Sequence, residues 1–117
     1  MTSDTNMIKL KSLIVESGAA WKADWMTRRN VQLDSLGRLP AYHGTPTKNL
    51  QSIKENGFRS HTYFSLKSEY SKQIASTYHN TPISKITVIE VFLPLNAIDF
   101  VGPDIFSTRV IKFEETQ

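Results

Sequence analysis

The sequence contains no cysteine, only five glycines and no long hydrophobic run. The absence of cysteine excludes a disulfide framework, a thiol nucleophile and a thiolate metal site. The longest apolar stretch, Ile86 to Leu93, is interrupted by Thr87 and Glu90 and falls well short of the ~20 residues that cross a bilayer. Because Met1 to Lys11 has no apolar signal region, we expect a cytoplasmic protein without a membrane partner.

Several common enzyme classes also lack their motifs here. The glycines form neither a phosphate-binding Walker loop nor a G-x-G-x-x-G turn, and no G-x-S-x-G elbow is present. The three histidines, His43, His61 and His79, lack the spacing of helical metal ligands, so we expect no metal and place His61 and His79 at the surface or rim.

What is present fits one ordinary globular domain over residues 1–117. Hydrophobic residues make up 39% of the chain and charged residues 21%, which is typical of a folded domain. The net charge of +3 permits contact with nucleic acid or an acidic partner without selecting either.

The first third of the chain predicts helical structure. Apolar residues between Met7 and Glu16 recur at helical spacing, and Gly18 follows as a stop signal. The stretch Trp21 to Asn30 is ambiguous, and Gln32 to Arg38 is typical of a turn.

Two tryptophans and two arginines within this first third suggest a contact surface. On a helix, Trp21 and Trp25 would share a face beside Arg28 and Arg29, an arrangement that suits a protein target or unpaired nucleic acid. The alternative is that the indoles pack this segment onto the domain and the arginines are solvated.

Short strands and helices alternate from residue 39 onward, which predicts an α+β fold. The apolar pattern of Ile86 to Leu93 predicts a central strand that is covered on both faces. The predicted elements are a strand Leu39–His43 ending at Gly44; a helix Lys48–Asn56 capped by Thr45 or Thr47 and closed by Gly57; a strand Thr62–Ser65; a helix from Ser65 or Ser68 to about Tyr78; a strand Ile86–Leu93 ended by Pro94; a turn at Gly102–Pro103; and a strand Thr108–Phe113.

Two clusters in this region carry possible chemistry. In the run from Tyr42 to Thr45, an imidazole stands beside a glycine whose backbone a ligand can approach closely, although a strand-end histidine with a turn glycine would look the same. Tyr63 and Phe64, followed by Tyr70 and Tyr78 on one helix face, can sandwich a flat ring or simply pack the core.

Taken together, the stretches AYHGTPTKNLQSIKENGF and TYFSLKSEYSKQIASTY resemble ADP-ribosyltransferases of the His-Tyr-Glu type. This group includes the diphtheria-toxin-like and the poly-ADP-ribose-polymerase-like enzymes. The resemblance covers Leu39 to Phe113. It implies a split β-sheet core with short flanking helices that binds NAD within residues 39–117, whereas residues 1–38 would contact the target.

The resemblance also implies roles for individual residues. His43 would hydrogen-bond a ribose 2′-hydroxyl on the adenosine side of NAD, and the Gly44 backbone would hold the nicotinamide carboxamide. Tyr63 would stack on the nicotinamide ring. The further NAD-binding residues that it implies are Thr45; Ser65 as a small hydroxyl facing the ligand; and Tyr70 or Tyr78 as a second aromatic.

The chain departs from this family at the acidic third motif, where Ser107 and Thr108 stand at the position expected for glutamate. We favour Asp104, in the turn before the predicted last strand, as the replacement. Glu90, in the middle of an apolar strand, would be buried in a pair or lie at the cleft floor, and a third possibility is that no catalytic acid exists.

The expected function is transfer of a single ADP-ribose unit from NAD to a macromolecule, more readily a host protein than nucleic acid. Cleavage of the nicotinamide–ribose bond passes through an oxocarbenium-like state, as in glycoside hydrolysis, and requires no metal. The size suggests a phage or bacterial effector by analogy. The alternatives are a catalytically inactive binding module of the same fold and a small basic nucleic-acid-binding protein.

Overall fold

A computed structural model describes residues 20–117, so the helix predicted over Met7 to Glu16 lies outside the described residues. The described part is an α+β fold with three α-helices and two antiparallel sheets, as predicted. The elements are α1 (Ala20–Arg28), β1 (Leu39–Pro46), α2 (Leu50–Asn56), β2 (Tyr63–Phe64), α3 (Ser68–His79), β3 (Ile86–Leu93), β4 (Ile98–Val101) and β5 (Asp104–Ser107), with short 3-10 turns at Thr47–Asn49, Ile83–Lys85, Leu95–Ala97 and Phe113–Thr116.

The first sheet consists of β1 and β3, paired from Leu39 opposite Leu93 to Pro46 opposite Ile86. The predicted bounds of β3 are confirmed, and Pro94 follows its last residue. Its predicted central position is wrong, because within residues 20–117 it pairs with β1 alone. Helix α3 packs against both strands, which explains the apolar character of β3 without a neighbour on each side.

Strand β1 continues past the predicted end at His43, through Gly44 to Pro46, because its pairing with β3 continues. Its other edge is almost open. There, Tyr42 forms a bridge with Ser65, and the two residues exchange both backbone hydrogen bonds. Because the bridge is antiparallel, residues 43–45 of β1 run toward β2, but β2 pairs with β5 instead, so this edge of β1 has no hydrogen-bonded strand among the described residues.

The second sheet has the order β2-β5-β4. The predicted turn at Gly102–Pro103 is confirmed as the connection of the β4–β5 hairpin. Directly after this turn, Asp104–Ser107 pairs with β4 and forms β5, the last strand. The predicted strand Thr108–Phe113 is therefore wrong. Only Ile111 of that stretch pairs, in an isolated bridge with Phe58, where it is fully buried.

The predicted caps of the two core helices are only partly confirmed. Gly57 closes α2 with a positive φ of 78°, a conformation that favours glycine. Neither α2 nor α3 has a side-chain hydrogen bond at its N-terminus. Thr45 is buried in β1, and the Thr47 hydroxyl donates to the Lys85 carbonyl instead.

The ambiguous stretch from Trp21 is helical and packs onto β4, since Trp25 stacks on Phe100 with ring centroids 3.9 Å apart. The Trp25 indole N–H donates to the Gly102 carbonyl, and the Arg29 guanidinium lies 4.1 Å from the Trp25 ring. The Trp25 indole is thus packed onto the domain, as the alternative expects. Arg29 stays exposed, so Trp25 is the one buried residue among the four of the expected contact surface.

Of the other two members, Arg28 pairs with Asp24 on the surface of α1. Trp21 stays 48% exposed against the edge of Phe100. Helix α1 is further held by buried Lys22, whose ammonium group donates to the carbonyls of Leu95 and Ile98.

The core is formed by the inward faces of both sheets together with α1. Its buried members include Trp25, Met26, Leu39, Ala41, Phe58, Phe64, Val91, Leu93, Leu95, Ile98, Phe100, Ile105 and Ile111. Among residues 20–117, no helix has the length and apolar character needed to span a bilayer.

Candidate functional site

A cavity of about 710 Å³ opens along the uncovered edge of β1. This volume lies in the range of small-molecule sites. The walls come from β1, from α2 and the loop after it, from α3 and from the facing residues of β2 and β5. The lining residues are His43, Gly44, Thr45, Asn49, Ser52, Ile53, Asn56, Gly57, Phe58, Arg59, Ser60, His61, Thr62, Tyr63, Ile74, Ala75, Tyr78, His79 and Phe106.

His43 is the half-buried imidazole of this cavity. Its Nδ1 lies 2.8 Å from the Tyr63 carbonyl oxygen, which can only accept, so Nδ1 carries the proton and Nε2 keeps its lone pair. The ring lies edge-on to Phe58 at 5.3 Å between ring centroids. Burial lowers the pKa of His43, the hydrogen bond to Tyr63 opposes this shift, and the charge of His79 adds to it. His43 therefore presents a neutral acceptor to a ligand.

Gly44 offers a ligand its backbone N–H and C=O, whereas the space beside its Cα is filled by α3. An added Cβ would collide with the Ser71 carbonyl oxygen and lie 2.9 Å from the Ala75 Cβ, so glycine is required for α3 to pack on β1. Backbone groups on an antiparallel strand point to alternate edges, and Tyr42 bonds toward β2. The N–H and C=O of Gly44 therefore point to the same edge, into the cavity.

Tyr63 lines the cavity beside His43 and lies opposite Phe106 in the sheet, with the two rings 5.7 Å apart. Burial raises the pKa of Tyr63, and the negative charge of nearby Asp104 raises it further, so the phenol is neutral. Within residues 20–117, neither the Tyr63 hydroxyl nor the Oδ1 of Asp104 has a hydrogen-bond partner, although both atoms are buried. Buried polar atoms without partners are rare in proteins.

The two candidate acids differ in position. Asp104 is the first residue of β5 rather than part of the turn before a later strand. It alternates with Phe106, so it shares the Tyr63 face of the sheet. Glu90 is exposed on β3 opposite Tyr42, which contradicts the expectation of a buried pair or a cleft-floor position. Neither carboxylate lines the cavity itself.

Of three further residues suggested by the sequence, namely Ser65, Tyr70 and Tyr78, only Tyr78 lines the cavity. Ser65 is only 2% exposed, and its Oγ lies 2.6 Å from the Ser71 Oγ and 2.8 Å from the Lys67 carbonyl, so it joins β2 to α3 instead of facing a ligand. Tyr70 lies outside the cavity lining, with its ring edge-on to Tyr63 at 6.4 Å. Tyr78 lines the cavity mouth but is 82% exposed.

Sequence reasoning missed Phe58 and Phe106 as the aromatic neighbours within this cavity. Phe58 follows the helix-closing Gly57, and Phe106 alternates with buried Ile105 in β5. Correct placement of β5 would have brought Phe106 to the face of Tyr63. His61 and His79 lie exposed at the rim, as predicted.

Lowering the pH from about 7.5 to 5 is expected to destabilise the fold through His43. Because its folded pKa is lowered, the unfolded chain binds more protons as the pH falls through the unfolded value of about 6.5. The free energy of unfolding should therefore fall by at most about 1.4 kcal/mol for each pH unit. Carboxylates contribute little in this range, because their pKa values lie below it. Urea unfolding of the wild type and of His43→Gln across this range measures this fall, and equal slopes would contradict the assignment.

A comparison with protein-family models and with curated proteins finds no match to this chain.

Proposed function

We propose that the protein binds NAD in this cavity and transfers ADP-ribose to a macromolecule as a mono-ADP-ribosyltransferase. The observation that carries the proposal is the convergence of three kinds of group at one open strand edge. They are the acceptor Nε2 of His43, the two backbone groups of Gly44 and the ring of Tyr63.

These groups match three chemical parts of NAD. A carboxamide has a donor and an acceptor, which the C=O and N–H of Gly44 complement. Tyr63 offers an aromatic face for the ring, where offset stacking contributes ~0.5–1.5 kcal/mol beyond area burial. His43 Nε2 accepts a hydrogen bond from the 2′-hydroxyl of the ribose on the adenosine side.

The transfer breaks the bond between the ribose C1′ and the nicotinamide nitrogen, and the electron pair of this bond neutralises the ring. A nucleophilic atom of the target forms the new bond to C1′ and loses its proton. Asp104 is the proposed acceptor of this proton and stabiliser of the developing positive charge. Asp104 is outside the cavity lining, and the support for this role is that its charge acts on Tyr63, which lines the cavity, while its buried Oδ1 has no hydrogen-bond partner among residues 20–117.

The proposal is tested by incubating the purified chain with NAD that is labelled in the adenine ring. A bacterial lysate supplies the acceptors. We expect release of nicotinamide and transfer of label to macromolecules. Asp104→Asn should slow both by about 100-fold or more, because a general base contributes this much.

Glu90→Gln is the matched control, since it neutralises an exposed carboxylate away from the cavity. It should leave the rate unchanged. Absence of nicotinamide release by the wild type, or loss of activity in Glu90→Gln instead of Asp104→Asn, would contradict the proposal.

A second candidate function is a nucleotide-binding module without catalysis. It is favoured by one observation, namely that no carboxylate is among the lining residues of the cavity. This candidate requires NAD binding without nicotinamide release and equal NAD affinity in the wild type and Asp104→Asn.

A further inference from the structure

All three histidines of the chain line the same cavity. His43 is half-buried at the edge of β1, whereas His61 and His79 are exposed at the mouth. His61 comes from the loop after α2, and His79 is the last residue of α3. The two exposed imidazoles therefore extend the cavity outward from His43 on two separate walls.

The mouth carries a positive side chain and no acidic one. Arg59 lies beside His61 in the same loop and supplies a permanent positive charge. The lining contains no aspartate or glutamate, and its remaining polar side chains are hydroxyls and amides. An anion would thus meet donors from both walls without repulsion from a lining carboxylate.

The loop that carries His61 is held in place by Ser107. The Ser107 Oγ donates to the Arg59 carbonyl at 2.7 Å and accepts from the Thr62 N–H at 2.8 Å, while the His61 N–H donates to the Ser107 carbonyl. His61 itself has a positive φ of 65°. A backbone fixed in this way loses little freedom when its side chain binds a ligand.

We infer that His61 and His79 form a two-sided subsite for the diphosphate group of a nucleotide. This inference rests on the proposed function for the identity of the nucleotide, because NAD joins its two nucleosides through a diphosphate. The mouth then distinguishes a nucleoside diphosphate from the uncharged nucleoside. The same groups would bind ADP or ADP-ribose.

Calorimetric titration with ADP and with adenosine tests the subsite independently of catalysis. We expect the wild type to bind ADP at least about tenfold more tightly than adenosine, since hydrogen bonds to a charged group contribute this much. In the double variant His61→Gly/His79→Ala, which removes both donor side chains, this preference should fall below about threefold with adenosine affinity unchanged. Glycine accepts the positive φ of His61, and Gln73→Ala, an exposed position of α3 outside the cavity, is the matched control.

Equal binding of ADP and adenosine by the wild type, no binding of ADP, or an unchanged preference in the double variant would each overturn the subsite. A single-stranded oligonucleotide provides a separate arm. If its affinity, rather than that of ADP, falls in the double variant, the mouth binds nucleic-acid phosphates and the inference is wrong. Nicotinamide release is measured separately, so its absence alongside histidine-dependent ADP binding would reject the transferase and leave the subsite standing.

Discussion

Gly44→Ala is expected to destabilise the protein by about 3 kcal/mol, at the upper end of the usual cost of overpacking. The added Cβ would collide with the backbone carbonyl of Ser71, which cannot rotate away as a flexible side chain would. Relief requires α3 to move away from β1, and this contact also forms one wall of the cavity. Urea unfolding of the variant and the wild type measures the loss.

Gly102→Ala provides the matched control for this prediction. Gly102 has a positive φ of 58°, but nothing lies within 4 Å of an added Cβ, so alanine there should cost only roughly 1–2 kcal/mol of backbone strain. If Gly44→Ala proves no more destabilising than Gly102→Ala, then α3 does not pack on β1 as closely as described.

His43→Ala is expected to reduce nicotinamide release from NAD by about 100-fold, the effect of small errors in substrate placement. The substitution removes the Nε2 acceptor and also the hydrogen bond that joins β1 to the Tyr63 carbonyl. Both changes loosen the groups that would orient the ribose and the ring. Steady-state rates, with folding verified by the unfolding transition, measure the effect.

The exposed Gln73→Ala variant, on α3 but outside the cavity, serves as the control and should retain the wild-type rate. Nicotinamide release by His43→Ala within threefold of the wild type would mean that the reaction occurs elsewhere on the protein.

Much of the fold between Leu39 and Leu93 could be predicted from local patterns. Gly57 and Pro94 mark the ends of elements, and the mostly apolar residues of β3 mark a strand; the structure agrees with all three. The sequence pattern places the last strand at Thr108–Phe113 instead of Asp104–Ser107, because Ile111 and its apolar neighbours are typical of a strand. Ile111 is instead buried through a single bridge to distant Phe58, which no local pattern reveals.

The site was predictable to the extent that its residues are close in sequence. His43 and Gly44 follow one another, and Tyr63 belongs to the strand that ends just before the Ser65 bridge to β1. Which hydroxyls and aromatics face the cavity depends on long-range packing. The Ser65 hydroxyl hydrogen-bonds Ser71 instead of facing the cavity. Phe106 lines the cavity because the register of β5 places it opposite Tyr63 of β2.

A crystal structure with bound NAD tests the central claim most directly. The account predicts the nicotinamide ring against Tyr63, its carboxamide on the N–H and C=O of Gly44, and a ribose hydroxyl within hydrogen-bond distance of His43 Nε2. NAD bound away from the open edge of β1, or side-chain packing that closes this cavity, would contradict it.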